Sequence, residues 1–205
     1  MFCIWFSCYF WRFILQGLKV LILDNYDSFT YNLLHYCDQF ADEVIVVRND
    51  EIEIGHISNF DKLILSPGPG LPRQAGNLMN VIEHAHDKIP ILGVCMGMQA
   101  IAEFFGFPLR NLETVKHGKT SIIQVLDESE PLFADLSNSL EVGHYHSWVV
   151  DEGKLKAPLH VTSVNQDSLV MSFRHETLDI CGVQFHPESV LTQDGLKMID
   201  NWIKY

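Results

Sequence analysis

The sequence has little positive charge, no regular cysteine spacing and no glycine-rich loop of a nucleotide-binding type. Lysine and arginine number 14 against 26 aspartates and glutamates, which gives the 205 residues a formal net charge of −12 at pH 7. A surface of that sign repels phosphate backbones, so we expect no nucleic-acid partner. No glycines have the spacing of a dinucleotide fingerprint or a P-loop. These absences remove nucleic-acid binding and the common nucleotide chemistries from the functions to consider.

The cysteines and histidines predict neither a disulfide framework nor a metal site. The cysteines are odd in number, irregular in spacing and without a CxxC pair: Cys3, Cys8, Cys37, Cys95 and Cys181. Such use is typical of a reducing compartment, so we expect a cytoplasmic protein without structural zinc. His144 and His146 can share one face of a strand, but the sequence suggests no third ligand. We therefore expect no metal and no cofactor in this chain.

Residues 1–17 are crowded with aromatic side chains and carry a single charge, Arg12. The segment is short for a membrane span, and it lacks the basic start and small-residue cleavage site of a secretory signal. We interpret it as an extension of unknown role, either an over-extended start of the chain or a segment that binds a membrane surface or a partner. We do not expect a membrane protein. One domain is predicted over residues 18–205.

Apolar runs alternate with helical patterns in the first half of this domain. The runs predict strands over 19–24, 44–47, 61–65 and 90–94, and helical spacing predicts helices over 29–40, 77–87 and 96–105. Ser28 is the predicted N-cap of the first helix. Such alternation is typical of an α/β fold with a parallel sheet covered on both faces. The second half has short predicted strands at 121–126, 140–142, 148–150, 161–165, 170–175 and 180–184, and a final helix at 195–204.

Cys95 is the first candidate for a functional residue. It lies between glycines, in the segment GVCMG, after a predicted strand and before a predicted helix. The thiol is thus expected at the carboxyl end of a strand, where ligands bind in α/β sheets, on a turn of the nucleophile-elbow type. The N-terminus of the helix stabilises a thiolate at that point. A small buried core residue is the alternative.

His186 and Glu188 are candidates for a base and the carboxylate that orients it. Pro187 favours extended geometry at His186, and in an extended chain residues i and i+2 point to the same side. The imidazole and the carboxylate can therefore converge, and the carboxylate then fixes the tautomer of the histidine. A turn with solvated charges is the alternative. A thiol, an imidazole and a carboxylate together suit acyl transfer from an amide or ester.

Two further segments are candidates for binding charge and substrate. The segment SPGPGLP, residues 66–72, has three prolines and is a loop with few backbone donors. Its Gly68 amide and the Met96 amide can form an oxyanion hole. Gln99 lies one helical turn after Cys95, where its amide can hold a polar end of the substrate. A rigid loop and an ordinary surface glutamine are the alternatives.

Six ordered segments over residues 18–205 resemble the class I, triad-type glutamine amidotransferases. They are LILDNYDSFTYNL, LSPGPGLP, PILGVCMGMQAIA, HGKTS, YHSWVV and GVQFHPES. The resemblance implies a flavodoxin-like three-layer sandwich with a mostly parallel central sheet and a smaller antiparallel sheet. Within the family, the chain is similar to the glutamine-hydrolysing subunits of anthranilate synthase and aminodeoxychorismate synthase. Met96 and Trp148 depart from the pattern, because leucine is usual at both positions.

The resemblance also implies roles for individual residues. Cys95 attacks the side-chain amide of glutamine, His186 acts as general base and acid, and Glu188 orients it. The amides of Gly68 and Met96 hold the oxyanion. Glutamine is bound by Gly68, Pro69, Gly70, Gln99, Ser147 and Trp148. The segments HGKTS and DNYDSF face the partner or the ammonia path.

A glutaminase of this kind delivers ammonia to a second subunit. The resemblance implies a chorismate-using synthase subunit, anthranilate synthase component I or aminodeoxychorismate synthase component I, which holds the magnesium that the synthesis needs. Anthranilate formation in tryptophan biosynthesis is the favoured interpretation, with aminodeoxychorismate formation in folate biosynthesis as the alternative. A glutaminase serving another synthase, as in purine synthesis, a stand-alone γ-glutamyl hydrolase and a non-catalytic binding module are further alternatives.

Overall fold

The computed structural model of the chain describes residues 17–151 and 153–205. Its strands are β1 (Lys19–Asp24), β2 (Glu43–Arg48), β3 (Lys62–Leu65), β4 (Ile91–Val94), β5 (Leu109–Val125), β6 (Ser139–Val150), β7 (Leu159–Asn165), β8 (Val170–His175) and β9 (Ile180–Val183). Its α-helices are α1 (Thr30–Cys37), α2 (Leu78–Ala85), α3 (Met96–Phe104) and α4 (Gly195–Lys204). Short 3₁₀ helices lie at Ile54–Asn59, Pro72–Gln74 and Pro131–Phe133. The extension predicted at residues 1–17 lies, apart from Gly17, outside the described residues.

The strands of the described residues form one sheet in the order β2-β1-β3-β4-β9-β8-β7-β5-β6. Neighbours are parallel from β2 to β9 and antiparallel from β9 to β6. The predicted α/β class is confirmed, and the expected parallel and antiparallel parts are continuous through the β8–β9 pair. The late strand β9 lies beside β4, the strand that leads to Cys95. The residues that follow β4 and those that follow β9 therefore lie side by side, at the carboxyl ends of two neighbouring parallel strands.

The parallel strands are buried on both faces because helices cover them from two sides. Along β1, Val20 and Ile22 belong to one core cluster, together with apolar residues of α1 and α4. Leu21 and Leu23 belong to the other cluster, together with α2 and α3. This alternation is the period-two geometry of a strand, and it produces the three layers that were expected.

Three local predictions are wrong in extent or position. β5 begins at Leu109 rather than at residue 121. The sequence pattern misses the first part of this strand because that part is largely exposed and carries no apolar alternation. The separate strands predicted at 140–142 and 148–150 are two parts of the single strand β6. Ser28 does not cap α1, because Phe29 holds the N-cap position and no side chain caps it.

Candidate active site

Cys95 occupies a strained turn between β4 and α3. Its φ of 51° and ψ of −103° lie where residues with a side chain are rarely found, at a cost on the order of 1–3 kcal/mol. The Cys95 amide donates to the Val183 carbonyl at 2.8 Å. Gly97 lies so close to Leu65 that a Cβ on Gly97 would come within 2.7 Å of the Leu65 Cβ. The chain therefore adopts the glycine-flanked elbow that the sequence predicts.

The thiol lies at the N-terminus of α3. Cys95 holds the N-cap position of this nine-residue helix and is 5% exposed. The unpaired amides of a first helical turn and the helix dipole both stabilise negative charge at that end. A partly enclosed helix N-terminus of this kind is a typical setting for a reactive cysteine.

His186 and Glu188 form a buried pair in the loop that follows β9. The Nδ1 atom of His186 lies 2.7 Å from Oε1 of Glu188, and each residue is 1% exposed. The His186 amide donates to the Gly143 carbonyl at 3.0 Å, which anchors the loop to β6. The rings of Phe29 and Tyr145 pack against the imidazole at centroid distances of 5.7 and 5.0 Å. The convergence of imidazole and carboxylate predicted from the HPE tripeptide is confirmed.

The charge of His186 follows from its neighbours. Burial lowers the pKa of His186, but the negative charge and hydrogen bonding of Cys95, and then of Glu188, raise that pKa well above its usual range. These neighbours therefore favour the imidazolium form of His186. Glu188 occupies the Nδ1 atom of His186, and Glu188 Oε2 is buried without a hydrogen-bond partner among the residues that the structure describes. The Nε2 atom is thus left for proton exchange with reacting groups.

The thiol opens into a pocket of about 230 Å³. The pocket lies where α3 begins, at the carboxyl edge of the parallel strands. Its lining includes every residue predicted to bind substrate or an oxyanion: Gly68, Pro69, Gly70, Met96, Gln99, Ser147 and Trp148. His186 and Glu188 do not line the pocket.

Gly68 is held against the start of α3 by close packing. A Cβ on Gly68 would come within 2.6 Å of the Asn25 carbonyl oxygen and would also collide with the methyl group of Met96. The Asn25 amide donates to Ser66 Oγ at 2.8 Å, and the Asn25 side chain donates to the Ser66 carbonyl at 2.9 Å. The loop after β1 therefore fixes the loop after β3. As a result, Gly68 and Met96, the two residues predicted for the oxyanion hole, lie side by side in the lining of the pocket.

Comparison with known proteins identifies this architecture. The family model of the class-I glutamine amidotransferases matches residues 21–205. The chain belongs to the class-I glutamine amidotransferase family. The elbow, the buried pair and the pocket of this amidotransferase all lie within the matched residues.

Several relatives of the amidotransferase are named for two related synthases. The aminodeoxychorismate/anthranilate synthase component 2 of Bacillus subtilis is 43% identical over 187 residues, covering 90% of this chain and 95% of the relative. The anthranilate synthase component 2 of Pseudomonas aeruginosa is 44% identical over 192 residues, covering 90% and 94%. The aminodeoxychorismate synthase component 2 of Escherichia coli is 41% identical over 186 residues, covering 90% and 98%.

A solved structure supports the amidotransferase fold. A Thermoplasma acidophilum protein described as one component of a GMP synthase superposes with a TM-score of 0.82 at 26% sequence identity. The superposition covers 92% of this chain and 94% of that protein. The curled mixed sheet is therefore shared over nearly the whole domain.

Gln184 contacts the thiol of the amidotransferase and is missing from the sequence predictions. Its Nε2 atom donates to Cys95 Sγ at 3.6 Å, and its Oε1 atom accepts from Gln99 Nε2 at 3.1 Å. Gln99 Nε2 also donates to the Trp148 carbonyl at 2.8 Å. The only sequence signal is a polar residue at the end of an apolar strand, two positions before His186. These bonds fix the orientation of both amides beside the Cys95 thiol.

Tyr145 and His146 also line the amidotransferase pocket without having been predicted. The Tyr145 hydroxyl lies 3.2 Å from Ser189 Oγ, in the loop that carries Glu188. His146 is 5% exposed and lies beside Ser147 on β6. Both belong to the YHSWVV segment, so the signal for them is the motif itself. The sequence interpretation used only its Ser147 and Trp148.

The described part of the chain contains no metal-binding cluster. No group of three or more histidine, cysteine or acidic side chains within residues 17–151 and 153–205 is arranged to hold a metal ion. Over the same ranges, Cys37, Cys95 and Cys181 are free thiols. None of the helices described has the length and apolar character needed to cross a membrane.

Proposed function

We propose that this chain is the glutamine-hydrolysing subunit of a chorismate-using synthase, with Cys95, His186 and Glu188 as its catalytic residues. The observation that carries the proposal is the thiol on a strained elbow, beside the His186 imidazole that Glu188 binds at 2.7 Å. The thiol faces a pocket of about 230 Å³ that suits a small polar substrate.

The first half of the reaction transfers the γ-glutamyl group to sulfur. The Cys95 thiolate attacks the side-chain carbonyl carbon of glutamine, and the amides of Gly68 and Met96 receive the negative charge that develops on oxygen. The His186 imidazolium then donates its Nε2 proton to the leaving nitrogen. The carbon–nitrogen bond breaks, ammonia departs and a thioester remains.

The second half of the reaction returns the enzyme to its starting state. Neutral His186 accepts a proton from water, and the resulting hydroxide attacks the thioester carbonyl. The carbon–sulfur bond breaks and glutamate leaves. Cys95 is again a thiolate and His186 an imidazolium. Glu188 keeps the imidazole oriented and stabilises its positive charge in both halves.

Gln99 is assigned to the recognition of glutamine through its side-chain oxygen. Both N–H groups of its amide are used, one by the Trp148 carbonyl and one by Gln184 Oε1. A glutamine side chain has two donors, so only Oε1 is left to accept a bond from the substrate. An ammonium or carboxamide N–H of the substrate is the matching donor.

Replacing Gln99 by leucine is expected to raise the KM for glutamine about tenfold, because one buried hydrogen bond is worth about 1–1.5 kcal/mol. Gln99→Glu is expected to do more harm, since it places a buried carboxylate oxygen against two acceptors, the Trp148 carbonyl and Gln184 Oε1. Steady-state glutaminase assays on the complex measure both effects. Gln39→Glu is the control, because Gln39 is exposed near the end of α1. An unchanged KM in Gln99→Leu would exclude the assigned contact.

Replacing Gly68 by alanine is expected to lower glutamine hydrolysis at least 100-fold, which is about the value of one oxyanion donor. The added methyl would meet Asn25 and Met96 and displace the loop. The matched control is Gly55→Ala, because a Cβ at Gly55 meets nothing within 4 Å. Glutamine hydrolysis and thermal unfolding are measured for both variants. Loss of activity in Gly55→Ala, or full activity in Gly68→Ala, contradicts the assignment.

The proposed partner is anthranilate synthase component I, with aminodeoxychorismate synthase component I as the alternative. The relatives support a role in one of these two synthases, since their names include both products. Chorismate and magnesium then belong to the partner, and ammonia passes from Cys95 to the partner's site. The proposed location is the cytoplasm.

One experiment separates the two branches. The pure chain is mixed with each candidate component I, glutamine, chorismate and magnesium, and the product is identified as anthranilate or aminodeoxychorismate. Anthranilate is the expected product. Formation of aminodeoxychorismate alone would move the chain to the folate branch. Rapid glutamine hydrolysis without binding to either component would favour a stand-alone hydrolase.

A further inference from the structure

A fully buried amide, that of Gln184, touches the sulfur of the proposed nucleophile. Its Nε2 atom lies 3.6 Å from Cys95 Sγ, and the large sulfur atom accepts hydrogen bonds at longer distances than oxygen does. Cys95 lines the pocket, whereas Gln184 does not. The Gln184 amide therefore reaches the reacting groups through the sulfur rather than through the substrate.

The direction of this amide follows from a backbone group. A backbone carbonyl can only accept, so the Gln99 atom that lies 2.8 Å from the Trp148 carbonyl oxygen is the donor Nε2. Gln99 Nε2 also lies 3.1 Å from the Gln184 side chain, where only the acceptor Oε1 fits. The other arm of Gln184 is then Nε2, which directs an N–H at the sulfur. A flipped Gln184 amide would place two donor groups against each other.

The backbone around this contact is hydrogen-bonded as well. The Gln184 backbone N–H donates to the Met171 carbonyl on β8 at 2.8 Å, and the Val183 carbonyl accepts from the Cys95 backbone N–H at 2.8 Å. Because Val183 and Gln184 are consecutive, the end of β9 binds both the backbone and the side chain of Cys95. The side-chain N–H of Gln184 is thus held in place before any reaction begins, which is the condition under which a donor stabilises developing charge well.

We propose that Gln184 is a further catalytic residue, whose side-chain N–H donates to Cys95 Sγ and stabilises the negative charge that returns to sulfur when the thioester is hydrolysed. The proposal rests on the proposed function, because it assigns Gln184 to one step of that reaction. In this step hydroxide adds to the thioester carbon, the carbon–sulfur bond breaks and its electron pair goes to sulfur. The proton that His186 took from water stays on His186, and the new carboxylic acid group of glutamate releases its own proton to water.

The contact assists the second half of the reaction more than the first. Negative charge on sulfur falls while Cys95 attacks glutamine, and it rises while the thioester breaks. Only an interaction that is stronger in the transition state than in the ground state accelerates a step. A donor to sulfur therefore accelerates the breaking of the thioester, and its loss should slow hydrolysis of the thioester more than its formation.

Gln184→Met tests this assignment, because methionine is unbranched and of similar length but has no N–H to donate. In the complex we expect kcat for glutamine hydrolysis to fall about tenfold, the value of one hydrogen bond to a charged group. The KM for glutamine should not rise, since Gln99 keeps its bond to the Trp148 carbonyl. Samples quenched with acid during turnover are analysed by intact mass, and a larger share of Gln184→Met than of the unmodified chain should carry the γ-glutamyl thioester.

The matched control is Asn201→Leu. Asn201 is a buried amide on α4 whose Nδ2 donates to the carbonyls of Leu132 and Ala134 at 3.2 and 2.8 Å. Its loss should lower the unfolding temperature and leave kcat and the share of thioester within about twofold.

Two results with Gln184→Met would overturn the proposal. A merely structural role would lower the unfolding temperature, as in Asn201→Leu, without raising the share of thioester. A tenfold rise in KM with unchanged kcat would mean that Gln184 serves only to orient Gln99.

A second measurement detects the contact without turnover. In NMR spectra of the whole, nitrogen-15-labelled chain, Gln184→Met assigns the side-chain amide signal of Gln184. Cys95→Ala removes the sulfur and should shift this signal, whereas Cys37→Ala should leave it unchanged. An unchanged signal in Cys95→Ala overturns the proposal even if glutamine is hydrolysed. If the unmodified complex does not hydrolyse glutamine, the proposed function fails and the catalytic role of Gln184 with it, while the spectra still show whether the amide binds the sulfur.

Discussion

Replacing Cys95 by serine is expected to abolish glutamine-dependent product formation by the complex while leaving the reaction with added ammonia intact. A serine hydroxyl at this elbow is not ionised as a thiolate is, so we expect the glutamine-dependent rate to fall by a factor on the order of 10³ or more. In the proposed complex the synthase site lies on the partner, and it receives ammonia from solution in this assay. Product formation is measured with glutamine and, in parallel, with an ammonium salt.

The control for this variant is Cys37→Ala. Cys37 is a buried thiol at the end of α1, packed into the core, and it does not line the pocket. Its removal should lower stability slightly and leave both reactions nearly unchanged. If Cys95→Ser kept a tenth or more of the glutamine-dependent rate, Cys95 would not be the nucleophile. If the ammonia-dependent rate also vanished, the substitution would have damaged the complex rather than the chemistry.

Glu188→Gln is expected to lower glutamine hydrolysis by a factor on the order of 10⁴, the loss that follows when the carboxylate of a serine-protease triad is replaced by its amide. The neutral amide fills the same space but no longer stabilises an imidazolium. Burial then lowers the pKa of His186 with less to oppose it. Glu188→Asp keeps the charge and should retain more activity than Glu188→Gln. Equal losses of activity in the two variants would show that the charge of Glu188 does not determine the rate of glutamine hydrolysis. Glu141→Gln on the exposed side of β6 is the control.

The same variant gives a stability test with a defined sign. The pKa of His186 is raised in the folded chain, so protonation of His186 stabilises the fold. That contribution is complete below the unfolded value of about 6.5 and is lost as the pH rises through the raised value. The deficit of Glu188→Gln due to this pair should therefore be largest near pH 6 and shrink at alkaline pH. Denaturant unfolding at several pH values measures it, and a deficit that grows with pH would contradict the assigned charges.

The sequence predicts those parts of the site that depend on short segments. The elbow at Cys95 follows from two glycines and a strand–helix boundary, and the His186–Glu188 contact follows from one proline between them. Gln184, Tyr145 and His146 could not be found in this way. Their importance comes from contacts with residues far away in the chain, such as Cys95 and Ser189.

The strands of the fold show the same difference between features set by short segments and features set by long-range contacts. The parallel strands are short, apolar and separated by helices, so each one leaves its own pattern in the sequence. The long strand β5 has an exposed first part, and its pairing with β6 is interrupted by irregularities after Asn111 and His117. No local pattern marks such a strand. The insertion of β9 between β4 and β8 is likewise a matter of long-range pairing.

The central place of β9 has a consequence for the synthesis of this protein on the ribosome. Translation produces β4 and Cys95 well before β9, and until β9 arrives the inner edge of β4 has no parallel neighbour there. His186 and Glu188 follow β9 directly, so the base reaches the thiol only when the strand that closes the sheet has docked. A nascent or prematurely terminated chain thus carries the proposed nucleophile without its proposed proton donor. We therefore expect glutamine hydrolysis only from the finished fold.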